Sequence, residues 1–286
     1  IDFEIGYGTR CGWLTKFYQA CGKIKPLVFI DIPMKFDKNA YDYQKNEILR
    51  VIGEIEKITK KPFSEDALRE EIRLHNSIAK SYWEILKIWA QDITAMGPLG
   101  FTYVLSMLHF GYTDRLSKHS KYFDQLLKNL LQEFKKNLKT DLTETPKLML
   151  APMFGGFDPE TLKIVSESGG RLLFADWKVL KILDPIKENG DPIENYTEYL
   201  LNISRNWYNN STVIDNWIKV IHELELDGVI FNSVYGCKSL TPAFRLFKDR
   251  LNELEVPIID ISFHNMEENI GQNKTRIGAF IEMIKS

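Results

Sequence analysis

The feature that most constrains this chain is the alternation, after Pro146, of short apolar runs with amphipathic stretches. Lys147–Met153, Arg171–Ala175, Gly228–Val234 and Val256–Ile261 have the length and composition of buried strands. Helical patterns follow them at Pro159–Glu167, Val213–Leu226, Thr241–Leu254 and Lys274–Ile284. The first of these carries Asp158 as cap, Pro159 at its first position and Gly169-Gly170 as its stop. Strands that are apolar throughout need cover on both faces, and intervening helices supply it. The pattern predicts a doubly wound parallel sheet.

The chain opens with a shorter version of the same grammar. Ile1–Ile5 reads as a strand that breaks at Gly6 and Gly8, Trp13–Ala20 as a short helix closed by Gly22, and Leu27–Ile32 as a second strand between Pro26 and Pro33. From Ala40 to about Leu138 the periodicity is helical, as in Ile48, Val51, Ile52, Ile55 and Ile58. Ser64, with Glu65 and Asp66 behind it, marks a helix start. Thr140–Pro146 is polar and reads as a linker. The expected architecture is α/β, with two doubly wound parallel-sheet domains: 1–143, including a helical segment over about 40–138, and 144–286. Ile1 lies inside a strand pattern without a preceding Met, so further residues are expected upstream.

Charge narrows the partners. With 37 Lys+Arg against 39 Asp+Glu the formal charge is −2, so no global field draws nucleic acid or anionic lipid. The apolar stretch near Pro26–Pro33 is too short to span a membrane, and no secretory signal opens the sequence shown. Three cysteines make no even disulfide framework, which favours a reducing compartment, the cytoplasm. No P-loop or dinucleotide fingerprint is present, and none of the five histidines has another at i, i+4. His75, His119 and His222 are expected on solvated helix faces or at caps, and Trp83 and Trp89 in the core.

Chemistry concentrates at two loops. Cys11 and Cys237 each follow a strand and a glycine, and each precedes a helix. Loops at the carboxyl ends of parallel strands hold the ligands of α/β sheets. A thiol there, with Arg10 or Lys238 adjacent, is poised to bind metal, and thiolates select zinc, copper(I) or iron–sulfur clusters. Matching positions in two domains would place such a site in the interdomain cleft. The competing reading is a small buried hydrophobe, and for Cys21, within a helical stretch, that reading is preferred. Ser233 and Tyr235 flank Cys237 and could donate hydrogen bonds to cluster sulfur or substrate, and His264, beyond the strand ending at Ile261, could touch substrate.

Asp227-Gly-Val-Ile-Phe-Asn-Ser-Val-Tyr-Gly-Cys-Lys238, then Val256-Pro-Ile-Ile-Asp-Ile261, then Thr275-Arg276-Ile-Gly-Ala-Phe280-Ile-Glu282-Met283 resembles the carboxyl-terminal half of the 2-hydroxyacyl-CoA dehydratase family, which includes the benzoyl-CoA reductase subunits. Lys147–Gly155, Gly170–Asp176, the segment Pro33–Asn76 with Tyr41, Glu47 and Asn76, and Thr9-Arg10-Cys11 extend the resemblance over nearly the whole chain. It implies two α/β domains whose cysteines hold a 4Fe-4S cluster, with Cys11 and Cys237 at two ligand positions. It also implies a related subunit as heterodimer partner, an ATP-hydrolysing iron–sulfur activator and an acyl-CoA substrate. The implied reaction is one-electron elimination of water through a ketyl radical, in an oxygen-sensitive, anaerobic enzyme. Gly12 stands where the family has an acidic residue, Asn209-Asn210 where some subunits have a cysteine, and a further family ligand would precede Ile1. An acyl-CoA reductase subunit and a clusterless scaffold subunit are the two alternatives.

Overall fold

A computed structural model describes residues 3–8, 11–33, 35–91, 116–137, 145–153, 159–176, 184–237, 241–265 and 269–286. By spatial contact the chain forms two compact units, one of residues 1–76 and 181–209, the other of residues 77–180 and 210–286. The linker expected over Thr140–Pro146, and with it the 143/144 boundary, falls largely outside the described residues.

The second unit holds the larger sheet. Strands β3 (Lys147–Met153), β4 (Arg171–Ala175), β5 (Gly228–Asn232) and β6 (Ile258–Asp260) pair in parallel in the order β4-β3-β5-β6. Every residue of β4 and β5 is buried, as strands covered on both faces must be. The chain passes from β3 outward to β4, then returns across β3 to β5 and β6. β4 and β5 thus lie on opposite sides of β3, so the carboxyl ends of β3 and β5 form the switch point of a doubly wound sheet. The α5 helix (Pro159–Glu167) links β3 to β4, and α7 (Asn210–Leu224), α8 (Ala243–Asn252) and α9 (Ile270–Lys285) belong to the same unit. Trp89 of the long α3 helix (Glu65–Gln91) donates its indole N–H to the Leu172 carbonyl at 2.9 Å, and Trp83 stacks on Phe174. The α4 helix (Leu116–Asn137) carries Lys135, which pairs with Glu84 at 2.6 Å.

The first unit contains a β-α-β crossover: β1 (Glu4–Tyr7), α1 (Gly12–Cys21) and β2 (Leu27–Ile30), with β1 and β2 parallel. Beside it lie α2 (Ala40–Thr59) and α6 (Pro192–Tyr208), which pack together. Asp191 caps α6, accepting from the amides of Ile193 and Glu194, with Pro192 in the first turn.

The sequence reading needs correction at several places: β1 continues through Gly6, where the strand was expected to break, and β2 stops at Ile30 short of Ile32. No helix was expected over Pro192–Tyr208, although Asp191-Pro192 carries the cap signal used for Asp158-Pro159. The last two strands are shorter than their apolar runs, ending at Asn232 and Asp260. His75 is buried: its Nε2 lies 3.1 Å from the Asp184 carbonyl and its ring meets Tyr199 edge-on. Desolvation lowers its pKa. Trp89 is core as expected, and the side chain of His119 lies outside the described residues. Among the described residues no helix is long and apolar enough to cross a membrane.

Candidate functional site

Beyond β5 the chain does not separate from β6. Pairing continues past both strands: Ile261 N–H donates to the Phe231 carbonyl, Phe263 N–H to Ser233 and Tyr235 N–H to Phe263, at 2.8, 3.0 and 2.7 Å. Val234 and Phe263 form a parallel bridge. This extension carries Tyr235 and His264 past the sheet edge, where their rings pack at 4.3 Å between centroids; Tyr235 is 67% exposed.

The chain then turns sharply. Gly236 has φ +75, a conformation that strains any residue with a Cβ. Cys237 N–H donates to the Val234 carbonyl at 3.1 Å, and the Cys237 carbonyl accepts from Thr241 N–H at 2.9 Å. Cys237 is thus half-buried in a closed turn at the switch point, just ahead of α8.

A row of side chains lies under this turn. Asp260 Oδ1 accepts from the Ser262 hydroxyl at 2.6 Å and from the Ser262 amide at 2.8 Å. The Ser262 and Ser233 hydroxyl oxygens are 2.7 Å apart. A carboxylate only accepts, so the Ser262 proton is committed to Asp260. In the Ser233–Ser262 bond the donor is therefore Ser233. Ser233 is fully buried, and its one proton is already placed.

At the end of β4, Asp176 is 2% exposed and accepts from the Trp217 indole at 2.6 Å. Tyr82 is buried in the same unit; burial first, and then the charge of Asp176, raises the pKa of its phenol.

In the first unit Cys11 is exposed and occupies the N-cap of α1. Its side chain makes no capping bond, while its carbonyl accepts from Thr15 N–H at 3.1 Å. The loop toward it passes Gly8, where an added Cβ would lie 3.2 Å from Asp31 Oδ1 and 3.2 Å from the Ile32 nitrogen. Asp31 follows β2, and its Oδ2 accepts from the Tyr43 hydroxyl at 2.6 Å. That bond, with burial second, pushes the Tyr43 phenol up to about 12. Glu47 accepts from the Asp31 amide and pairs with Arg50, whose guanidinium also reaches the Phe29 carbonyl. Tyr7, at the end of β1, meets Ser204 at 3.3 Å; the Ser204 proton goes to the Leu200 carbonyl, so Tyr7 is the donor.

The structure therefore gathers Ser233, Tyr235, Cys237 and His264 at one sheet edge of the second unit and places Cys11 at the corresponding edge of the first. Cys21 ends α1; desolvation and a hydrogen bond with Glu4 raise its thiol pKa. Arg10 and Lys238, the cations expected beside the two cysteines, lie outside the described residues. None of the cysteines is in a disulfide, and among the described residues no group of three or more His, Cys, Asp or Glu is placed to hold a metal ion. Sequence reasoning missed Asp31, Asp176, Asp260 and Ser262. The available signal was an acidic residue closing an otherwise apolar strand run.

The sequence matches the family model for 2-hydroxyglutaryl-CoA dehydratase, D-component, over residues 1–284. It is also 22% identical over 291 residues to a protein of Escherichia coli (strain K12) named "Putative dehydratase subunit YjiM"; the match covers 99% of this chain and 74% of that protein. The chain belongs to the 2-hydroxyglutaryl-CoA dehydratase D-component family.

Proposed function

We propose that this D-component family member is the iron–sulfur subunit of a 2-hydroxyacyl-CoA dehydratase-like enzyme. It would act with a related subunit and with an ATP-hydrolysing activator that delivers one electron, and eliminate water from an acyl-CoA thioester. The reading is carried by the Cys237 turn: a thiol held half-buried at the switch point of a doubly wound sheet. Cys11, exposed at a helix start beyond β1, is the second thiolate donor. Two thiols at the carboxyl ends of parallel strands suit a soft metal centre, and the remaining ligands come from outside this pair. A bound 4Fe-4S cluster would supply the single-electron chemistry.

The chain's own groups take narrower roles. The Tyr235 phenol is exposed two residues before Cys237 and can donate to a thioester oxygen. His264, packed against that ring, lines the same edge. Ser233 offers only lone pairs, because its proton goes to Ser262. Iron and sulfide analysis of protein purified without oxygen tests the reading. Bound iron and sulfide with a broad visible absorption supports it; iron-free protein that still assembles with a partner subunit points to the scaffold alternative. A reductase would show instead in the product, a reduced acyl-CoA with no water lost.

A further inference from the structure

We propose that Asp260 and Ser262 are positioning residues for Cys237, acting through Ser233 to hold closed the turn that presents the thiol. The inference rests on the reading of Cys237 as a ligand, but its geometry stands independently. Asp260 is anchored at the base: its carbonyl accepts from the Arg276 guanidinium of α9 at 2.5 Å, which gives a local role to an arginine of the carboxyl-terminal motif. Its carboxylate then fixes Ser262 by two bonds, through the amide and the hydroxyl. Ser262 in turn fixes the proton of fully buried Ser233. The next residue, Val234, supplies the carbonyl that closes the turn, accepting from Cys237 N–H at 3.1 Å and from the Thr241 hydroxyl at 3.3 Å.

The proton order gives the chain a direction. Because the carboxylate cannot donate, neither serine can turn its proton away without giving up a hydrogen bond of the row. The main-chain ladder ties the strands along their length, and the side-chain row ties them across the point where the turn begins. Removing the row leaves the sheet intact and frees the turn. Its signature is therefore local: a change at Cys237 and at neither of the other cysteines.

The test is the rate at which iodoacetamide alkylates each cysteine of the full chain, prepared free of iron and read by peptide mass spectrometry, with Cys21 as internal reference. Ser262→Ala should raise the Cys237 rate about three- to tenfold, the equivalent of one lost net hydrogen bond, with Cys21 unchanged. Ser262→Thr, which keeps the hydroxyl, should restore it. Asp260→Ala removes the acceptor at the other end of the row; it must give the same acceleration, and it decides the matter if Ser262→Ala does not fold. A Cys237 rate within about twofold of the unsubstituted protein in the folded alanine variants, failure of Thr to restore it, or equal acceleration at Cys21 overturns the proposal. Iron uptake by the unsubstituted chain tests the proposed function, whereas thiol reactivity, measured without iron, tests the clamp.

Discussion

The molecule contains two β-α-β crossovers of one grammar, supported differently. In β1-α1-β2 and in β5-α8-β6 a parallel strand leads through a glycine-bearing loop to a cysteine and a helix, and an aspartate stands at the end of the neighbouring strand, Asp31 just after β2 and Asp260 as the last residue of β6. Around Cys237 the support is redundant: β5 is buried throughout, it has a partner on each side, and its pairing runs beyond the sheet edge. Around Cys11 it is sparse. The strands β1 and β2 are only partly buried, each pairs only with the other among the described residues, and Asp31, which abuts Gly8, is held from α2 by the Tyr43 hydroxyl and by Glu47. The same motif can therefore give a fixed thiol or an accessible one. The difference lies in what the neighbouring strands contribute.

The comparison breaks most readily at the cysteines. Cys237→Ser should remove essentially all bound iron, and with it the visible absorption, in protein isolated without oxygen, while Cys21→Ser leaves both unchanged. Full iron content in Cys237→Ser would end the ligand assignment. Stability should divide in the same direction. Phe231→Ala, in fully buried β5, should cost about 3–5 kcal/mol, and Phe29→Ala, in half-buried β2, about 1–2 kcal/mol. Equal losses in urea unfolding would show that the smaller crossover is as firmly built as the larger. The smallest effect is a pH dependence in the first unit. Burial pushes the Tyr7 phenol up to about 12 from 10.0. A tyrosine raised in the fold keeps its proton preferentially there. Its stabilisation is whole below pH 10 and declines as pH rises toward 12. Tyr7→Phe should flatten that alkaline decline in thermal midpoint, and an unaltered decline would mean that another group carries it.

Continuously buried strands were legible from sequence because burial on both faces leaves an uninterrupted apolar run. The ends of β3 and β4 and the whole of α5 fall where the pattern places them. The amino-terminal strands were legible only in part: β1 runs through Gly6 to Tyr7, past the glycine expected to end it, and β2 stops at Ile30, where Asp31 turns its carboxylate back onto the Ile32 amide. Cysteine placement was legible too, since a strand, a glycine and a helix start are all local signals. What supports the cysteines was not. Ser233 and Ser262 are 29 positions apart, Asp176 and Trp217 are 41 apart, and each pairing exists only once the sheet has formed. Ser233 read as a loop donor to cluster or substrate; the order of strands gives its proton a partner inside the protein. His75 read as a solvated helix residue because its burial comes from segments around Asp184 and Tyr199, more than a hundred residues away.

The division of the chain into its two units has a consequence for synthesis. The first unit draws on residues 1–76 and again on 181–209, so its last part leaves the ribosome about 130 residues after its first. At ordinary rates of translation that interval is roughly 10 s. Throughout it the β1-α1-β2 crossover is made but lacks α6, the helix that packs on α2 and receives the Tyr7 hydroxyl through Ser204. The growing chain thus carries an unfinished amino-terminal surface through nearly half of its elongation, a window that a ribosomal pause before residue 209 would lengthen.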